Sequence, residues 1–410
     1  MHSRLSFPII LLSITAMSAT ADAAEVRLSY TTVSSYTVKH NPGLASARMR
    51  IEEAKARVIG AGRRANPELG LEFKHDDRFR ENTLGIGIDQ KFPVTARLRI
   101  EKVIAQKDVT AAQLEVRDAE RKLVAEVMPL AVKLLSLEKQ RALRQDQSEL
   151  AMKLSDFAAK RAQSGEISPM DAAQAQVDAQ RILLEGRQLE TERITVLGQI
   201  KPMLGVRDTD TLTLTGALPA MTKGIPRGEW ESRPDYQLSK AHEDTARTAI
   251  DLARSKKWED WSAGLLFENE RMEDAPDGLE RTPFFGFRIS IPLPIWNRNE
   301  GEILEKSVAA QRAVLETKAL GATIRGEASA ARAEMAAYAK LASETRDTLL
   351  PLVIQQTEKL EKAYQTGQTD LLTVLRAREQ RLQLEAAVLT ATRDYHLARI
   401  RYEAATNSIR

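Results

Sequence analysis

Apolar residues along this chain follow two different periods, and the switch between them occurs twice. Leu69, Leu71 and Phe73 alternate with Gly70, Glu72 and Lys74, and after a polar stretch Leu84, Ile86 and Ile88 alternate with Gly85, Gly87 and Asp89. Alternation of this kind predicts a strand pair with one apolar face. Trp261, Ala263, Leu265 and Phe267, then Phe285, Phe287, Ile289, Ile291 and Leu293, predict a second pair, with Leu266 breaking the alternation. Beyond Pro93 the spacing becomes that of a coiled coil, through Leu123, Val127, Leu130, Leu134, Leu137, Leu143, Leu150, Leu154 and Phe157. Residues 95–164 hold no glycine, so one long helix is expected there.

The two passages are copies of one unit. Leu84 to Arg97 aligns without gaps on Phe285 to Arg298 at an offset of 201, and Gln163-Ser164-Gly165 answers Gln365-Thr366-Gly367 at an offset of 202. Asn41-Pro42 answers Arg233-Pro234 at an offset of 192. So long a period predicts a duplicated supersecondary unit. Repeat one, 24–204, reads as a helix over 43–65, a β-hairpin over 68–92, the long helix over 95–164 and a return helix over 169–204. Repeat two, 231–410, reads as a helix, a hairpin over 261–293, a long helix over 296–366 and a return helix over 371–405. Pro129 and Pro351 stand at non-equivalent places in the long helices, and each is expected to remove a hydrogen bond and kink its helix locally. Segment 205–230, with Gly205, Pro219, Gly224, Pro226 and Gly228, reads as the linker, adding a short strand over 211–215. Residues 24–40 are expected in the same belt around the middle.

Lengths then decide the packing. A 70-residue helix extends about 105 Å, too far for a globular core. The short upper helix and the return helix, laid end to end, match that length. Each repeat is therefore expected as a tall helical hairpin with strands at one end and a glycine turn at the other. A two-stranded pair cannot bury its apolar face alone, and a sheet spanning a bilayer must leave no edge unpaired. Three chains of four strands supply twelve, an even number suited to a closed barrel. The expected fold class is thus mainly α with membrane β: paired helical hairpins forming an α-barrel, and a 12-stranded β-barrel closed in a homotrimer. The Ala-rich stretch Ala328, Ala330, Ala331, Ala333, Ala336, Ala337 and Ala339 suits the close helix contacts this requires. Leu69, Leu71, Phe73, Leu84, Ile86, Ile88, Phe267, Phe285, Phe287 and Ile289 are expected on the lipid face, and Pro93 and Pro294 at strand-to-helix junctions. Glu72, Lys74, Asp89, Lys91 and Arg288 face the lumen with no dominant sign.

Composition adds a compartment. Arg4, the apolar run Phe7 to Ile14 and the small-x-small pattern Ala21-Asp22-Ala23 read as a secretory signal over 1–23. The chain has no cysteine, which excludes disulfides, thiolate metal sites and a lipid anchor on an N-terminal Cys. No later stretch reaches the ~18 consecutive apolar residues of a membrane helix. Net charge is +3 with both signs interspersed, so there is no nucleic-acid footprint. The five histidines, His2, His40, His75, His242 and His396, are scattered; His75-Asp76-Asp77 lies in a strand-connecting loop without further ligands. No phosphate loop, nucleophile elbow or zinc motif is present, and no catalytic, cofactor or metal residue is assigned.

The order of elements resembles the outer-membrane efflux protein (TolC) family. The residues that carry the likeness are Asn-Pro-Glu-Leu at 66–69, Ile-Pro-Leu-Pro-Ile-Trp-Asn-Arg-Asn-Glu-Gly at 291–301, Leu-Leu-Pro at 349–351 and Tyr-Gln-Thr-Gly-Gln-Thr-Asp-Leu-Leu at 364–372. The first two stretches are most similar to the heavy-metal, CzcC-type subgroup. The resemblance implies a passive duct in the outer membrane of a Gram-negative envelope, reaching into the periplasm. It would dock to a periplasmic adaptor (membrane fusion) protein and an inner-membrane resistance-nodulation-division pump, and export heavy-metal cations. Drugs or other small molecules are the alternative cargo, and a soluble periplasmic coiled-coil adaptor or scaffold is the alternative class. The turns at Gly165 and Gly367 then resemble the tips that meet the adaptor. Asp171 matches an acidic position of the family's constriction, whereas its counterpart in repeat two is Thr373; Arg376 stands where some relatives have an acid, and Asp370 lies nearby. A mixed-sign constriction and ordinary solvated turn charges are both open readings of these residues.

Overall fold

The structure, a computed structural model, describes residues 24–221, 228–274 and 278–409. The expected signal segment and the linker residues Gly224 and Pro226 lie outside these. Repeat one begins with β1 (Glu25–Ser29) and α1 (Tyr30–His40), then α2 (Pro42–Gly60), β2 (Glu68–His75), β3 (Asn82–Phe92), α3 (Arg97–Gln163) and α4 (Pro169–Leu204). After β4 (Thr211–Thr215) come α5 (Pro234–Ser255), β5 (Trp261–Asp274), β6 (Gly278–Ser290), α6 (Glu300–Glu344), a π-helical turn (Thr345–Leu349), α7 (Leu350–Gln365) and α8 (Leu371–Ala405).

Proline opens α2, α4 and α5, where its missing N–H has no intrahelical partner to lose. Asn41 caps α2 by accepting from the Leu44 amide at 3.0 Å, and Ser168 caps α4 through the Met170 amide at 3.1 Å. The upper helix stops at Gly60, earlier than the 43–65 expected, because Gly62 turns the chain at φ 72. A Cβ there would lie 2.5 Å from the Leu98 carbonyl oxygen, so the turn rests against the first turn of α3.

Side-chain clamps hold the short helices end to end. Asn41 Nδ2 donates to the Met203 carbonyl at 2.8 Å, joining the start of α2 to the end of α4. Asn407 Nδ2 donates to the Ser232 carbonyl at 3.0 Å, which brings the end of α8 to the start of α5. α3 packs along α2 and α4, and α6 along α5 and α8.

Pro129 lies inside α3, which stays helical from Arg97 to Gln163. The matching long helix of repeat two, expected unbroken over 296–366, contains the π turn, where the Leu350 amide reaches back to Thr345. Pro351 follows at once. A proline alone does not require such a turn, as Pro129 demonstrates. The offset between repeats grows from 201 at the strands to 202 at the tips, so repeat two holds one extra residue between them. A single π turn takes up such a residue and leaves the helix above and below in phase.

The main core lies at mid-height. Val127, Ala131, Val132 and Leu134 of α3 meet Val196, Ile200 and Leu204 of α4, Val33 of α1 and Ile400 of α8. β1 pairs in parallel with β4, so residues 24–40 and the linker strand form a belt across this level. A buried ion network ties the repeats together. Arg121 bonds Asp118 at 2.7 Å and reaches Asp235 at 3.5 Å; Arg233 bonds Asp235 at 2.7 Å and Glu327 at 2.9 Å. Burial works against the Asp235 carboxylate, but the Arg233 bond and the charges of Arg233 and Arg121 hold its pKa below the ordinary range.

Candidate functional site

The four long strands form one antiparallel sheet in the order β2-β3-β5-β6, leaving β2 and β6 as edges. Pairing sets Leu69 opposite Ile88, Leu71 opposite Ile86 and Phe73 opposite Leu84. It continues with Ile86 opposite Phe267 and Ile88 opposite Leu265, then Phe267 opposite Phe285, Leu265 opposite Phe287 and Ala263 opposite Ile289. All ten residues expected on the lipid face thus share one face, which Leu265 extends. Phe285 is 83 % exposed and Leu71 71 %. An apolar patch of this size, with no protein over it, is the mark of an interaction or membrane surface.

The opposite face is polar and lined with glycine. One row across it reads Gly70, Gly87, Leu266, Gly286. Leu266, which broke the alternation, covers the space its neighbours vacate: its Cδ1 lies 3.4 Å from the point a Cβ on Gly87 would occupy. Missing side chains on this face let the sheet curl toward it. Glu72, Lys74, Asp89, Lys91 and Arg288 are here, as expected, but register adds Glu68, Glu268, Glu270 and Glu280. The even balance of sign expected from the sequence is therefore corrected to an acidic excess. Glu268 and Glu270 had been obscured because Leu266 disturbed the period of β5.

At the far end of the helices the two tips have the same backbone. Gly165, at φ 77, donates to the Ala162 carbonyl at 3.1 Å, and Glu166 donates to Arg161 at 2.8 Å. Gly367, at φ 74, donates to Tyr364 at 3.1 Å, and Gln368 donates to Ala363 at 2.8 Å. Both are left-handed C-terminal turns that close one helix before the next begins. Asp370 caps α8, taking the Thr373 amide at 2.8 Å and its hydroxyl at 2.9 Å. These bonds, the amide first, lower the Asp370 pKa. Asp171 in the first turn of α4 and Arg376 on α8 are exposed, and among the described residues no ion pair joins them.

What the structure brings together at the tips is a set the sequence reading passed over. Ala158 and Ala175 of repeat one pack with Tyr364, Leu371, Val374 and Leu375 of repeat two. Arg161 lies over the Phe157 and Tyr364 rings, 5.7 and 5.5 Å from their centroids, and bonds Glu166 at 2.9 Å. Phe157 and Arg161 stand at i and i+4 just before Gly165, and Tyr364 three residues before Gly367, which was the available signal.

Residues 33–206 match the sequence model of the family described as outer membrane efflux protein. Over that stretch the chain is similar to the outer membrane efflux proteins. It is 21 % identical over 350 residues to the cobalt-zinc-cadmium resistance protein CzcC of Cupriavidus metallidurans, covering 84 % of this chain and 81 % of that one. Its fold matches the crystal structure of CusC with TM-score 0.76 at 16 % identity, covering 99 % of this chain and 98 % of CusC. It matches the CmeC outer membrane channel of Campylobacter jejuni with TM-score 0.75 at 14 % identity, covering 92 % and 85 %.

The efflux-protein match runs from within α1 to the end of α4 and takes in the hairpin of repeat one. The homologues are channel proteins rather than enzymes. Among the described residues no helix is long and apolar enough to cross a membrane. The His75 ring stacks on Phe79 at 3.8 Å, and the Asp76 carboxylate accepts the Glu81 amide at 3.0 Å and the Arg78 amide at 3.3 Å.

Proposed function

We propose that this chain is the outer-membrane channel of a tripartite efflux system and that its cargo is heavy-metal cations. The observation that carries the reading is a four-stranded sheet with two free edges and one largely exposed apolar face. Lipid offers no partner for edge amides and carbonyls, so such a sheet spans a membrane only when closed. Pairing β2 of one copy with β6 of the next closes twelve strands in a homotrimer, apolar face outward and glycine face inward. The helices then continue the barrel into the periplasm, and the Gly165 and Gly367 turns are the end presented to a periplasmic adaptor. A resistance-nodulation-division pump in the inner membrane supplies the energy, and the duct performs no chemistry.

Two observations favour metal cations over drugs or other small molecules. The relative CzcC bears the name of a cobalt-zinc-cadmium resistance protein, and the inner face of the sheet carries more acids than bases. Charge of one sign along a narrow water-filled path raises the local concentration of its counter-ions. Asp171 and Arg376, exposed beside the tips, remain our candidates for the constriction. Asp370 has a structural use there as a helix cap.

The test is fractionation and mass determination of the detergent-solubilised particle, followed by cobalt, zinc and cadmium sensitivity of a strain lacking the chain. An outer-membrane particle of three chains and a metal-sensitive strain are expected. A soluble monomer would overturn the channel, and unchanged metal tolerance with new drug sensitivity would move the cargo to small molecules.

A further inference from the structure

The antiparallel order brings all four strand–helix junctions to one end of the sheet. β2 and β5 begin there and β3 and β6 end there, with Phe92 opposite Trp261 and Ser262 opposite Ser290. Three of the chain's four tryptophans, Trp258, Trp261 and Trp296, belong to this end, and Trp296 is 93 % exposed. An exposed indole has a broad apolar body and one N–H donor, the combination favoured where hydrocarbon meets headgroups.

The same level carries a surplus of positive charge. Arg63 and Arg64 precede β2, Arg99 follows β3, Lys257 precedes β5 and Arg298 follows β6. All five are exposed, and none forms an ion pair among the described residues. Their basic neighbours are engaged: Lys91 with Glu68, Arg97 with Asp260 and Glu101, Lys256 with Glu302. Among the described residues at this level, Glu259 and Glu300 are the acids left to stand against the five, and Glu300 lies in the first turn of α6, where the helix dipole favours an acid. The opposite end of the sheet differs in both respects. Among the described residues there, 75–82, 270–274 and 278–281 contain no tryptophan, and their acids outnumber their bases.

We propose that this end of the sheet is a collar that binds anionic phospholipid headgroups, phosphatidylglycerol in kind, around the periplasmic side of the barrel. The inference rests on the membrane-channel reading and adds its lipid preference. The tryptophans set the depth of the sheet, and the bases select the headgroup, since each Lys or Arg near an anionic surface adds attraction and guanidinium matches phosphate with paired donors. The trimer would repeat the five bases three times around the circumference.

The full-length trimer, reconstituted in phosphatidylcholine with or without phosphatidylglycerol, tests this by the lipid retained on gentle extraction. Wild type is expected to retain phosphatidylglycerol enriched at least about threefold over the bulk membrane, and to lose that enrichment in high salt. R63Q/R64Q/K257Q/R298Q is expected to retain lipid in bulk proportion, whereas R63K/R64K/R298K keeps the enrichment. Bulk proportions for wild type would overturn the proposal even where the Gln variant fails to assemble, and so would an enrichment that survives in the Gln variant. A normal outer-membrane trimer without lipid preference removes the collar alone; a chain that is not found in the membrane removes the channel reading beneath it.

Discussion

Tyr364 of repeat two stands edge-on to Phe157 of repeat one, with ring centroids 6.2 Å apart and planes at 79°. This contact, sealed by Arg161 over both rings, joins the two tips directly.

The tip lock is one of rings rather than of hydroxyls. Tyr364 is buried, yet its hydroxyl has no hydrogen-bond partner among the described residues. Tyr364→Phe is therefore expected to leave conductance in planar bilayers near wild type. Tyr364→Ala removes about 3 kcal/mol of packing and is expected to raise conductance and protease sensitivity at the tips. Equal effects of the two substitutions would show that the hydroxyl holds the tips.

The π turn makes a prediction about length. If Thr345–Leu349 absorbs an extra residue, deleting Thr348 together with Pro351→Ala is expected to give a continuous α-helix with the tip register kept. The melting temperature of the trimer should stay close to wild type. Deleting one residue from α3 instead turns everything below it by about 100° and should abolish assembly. Loss of the trimer in the first variant would show that the turn is needed for its own sake.

His396 predicts a pH dependence. It is fully buried on α8, close to Pro219 of the linker, and burial first, then the charge of Arg399 with that of Lys139, pulls its pKa from 6.5 down to about 4. Between these values the unfolded chain binds a proton that the folded chain refuses. Stability is therefore expected to fall as pH drops from about 6.5 to about 4, by on the order of 3 kcal/mol, and this contribution levels off below. The difference between wild type and His396→Gln in denaturation series across that window isolates it; parallel pH profiles would contradict it.

Two glycines with the same backbone should respond differently to alanine. Gly165 and Gly205 both have positive φ, 77 and 68, but a Cβ on Gly165 meets nothing within 4 Å. On Gly205 it would lie 2.4 Å from the His40 carbonyl oxygen. Gly165→Ala is expected to cost about 1–2 kcal/mol, the strain of the left-handed backbone. Gly205→Ala should cost clearly more, because the end of α1 must also move away from α4. Thermal midpoints of the two variants give the comparison.

Much of this protein is written locally. The period-two runs of β2, β3 and β6, the glycine-free stretch of α3 and the matching tips at Gly165 and Gly367 each depend on neighbours in sequence, and so they, the duplication and the apolar sheet face were legible. A trimeric barrel follows in the same way from the strand number and the need to close edges. Tertiary structure decided what depends on partners distant in the chain. Register places Glu268 and Glu270 on the polar face and gives Leu266 its bed of glycines; the hairpins' approach sets Tyr364 on Phe157. The one-residue difference between the repeat offsets was visible in the sequence, but where the helix would absorb it was not. Any turn between strand and tip could have taken the extra residue; the structure places it at Thr345–Leu349, where the chain packs along α8.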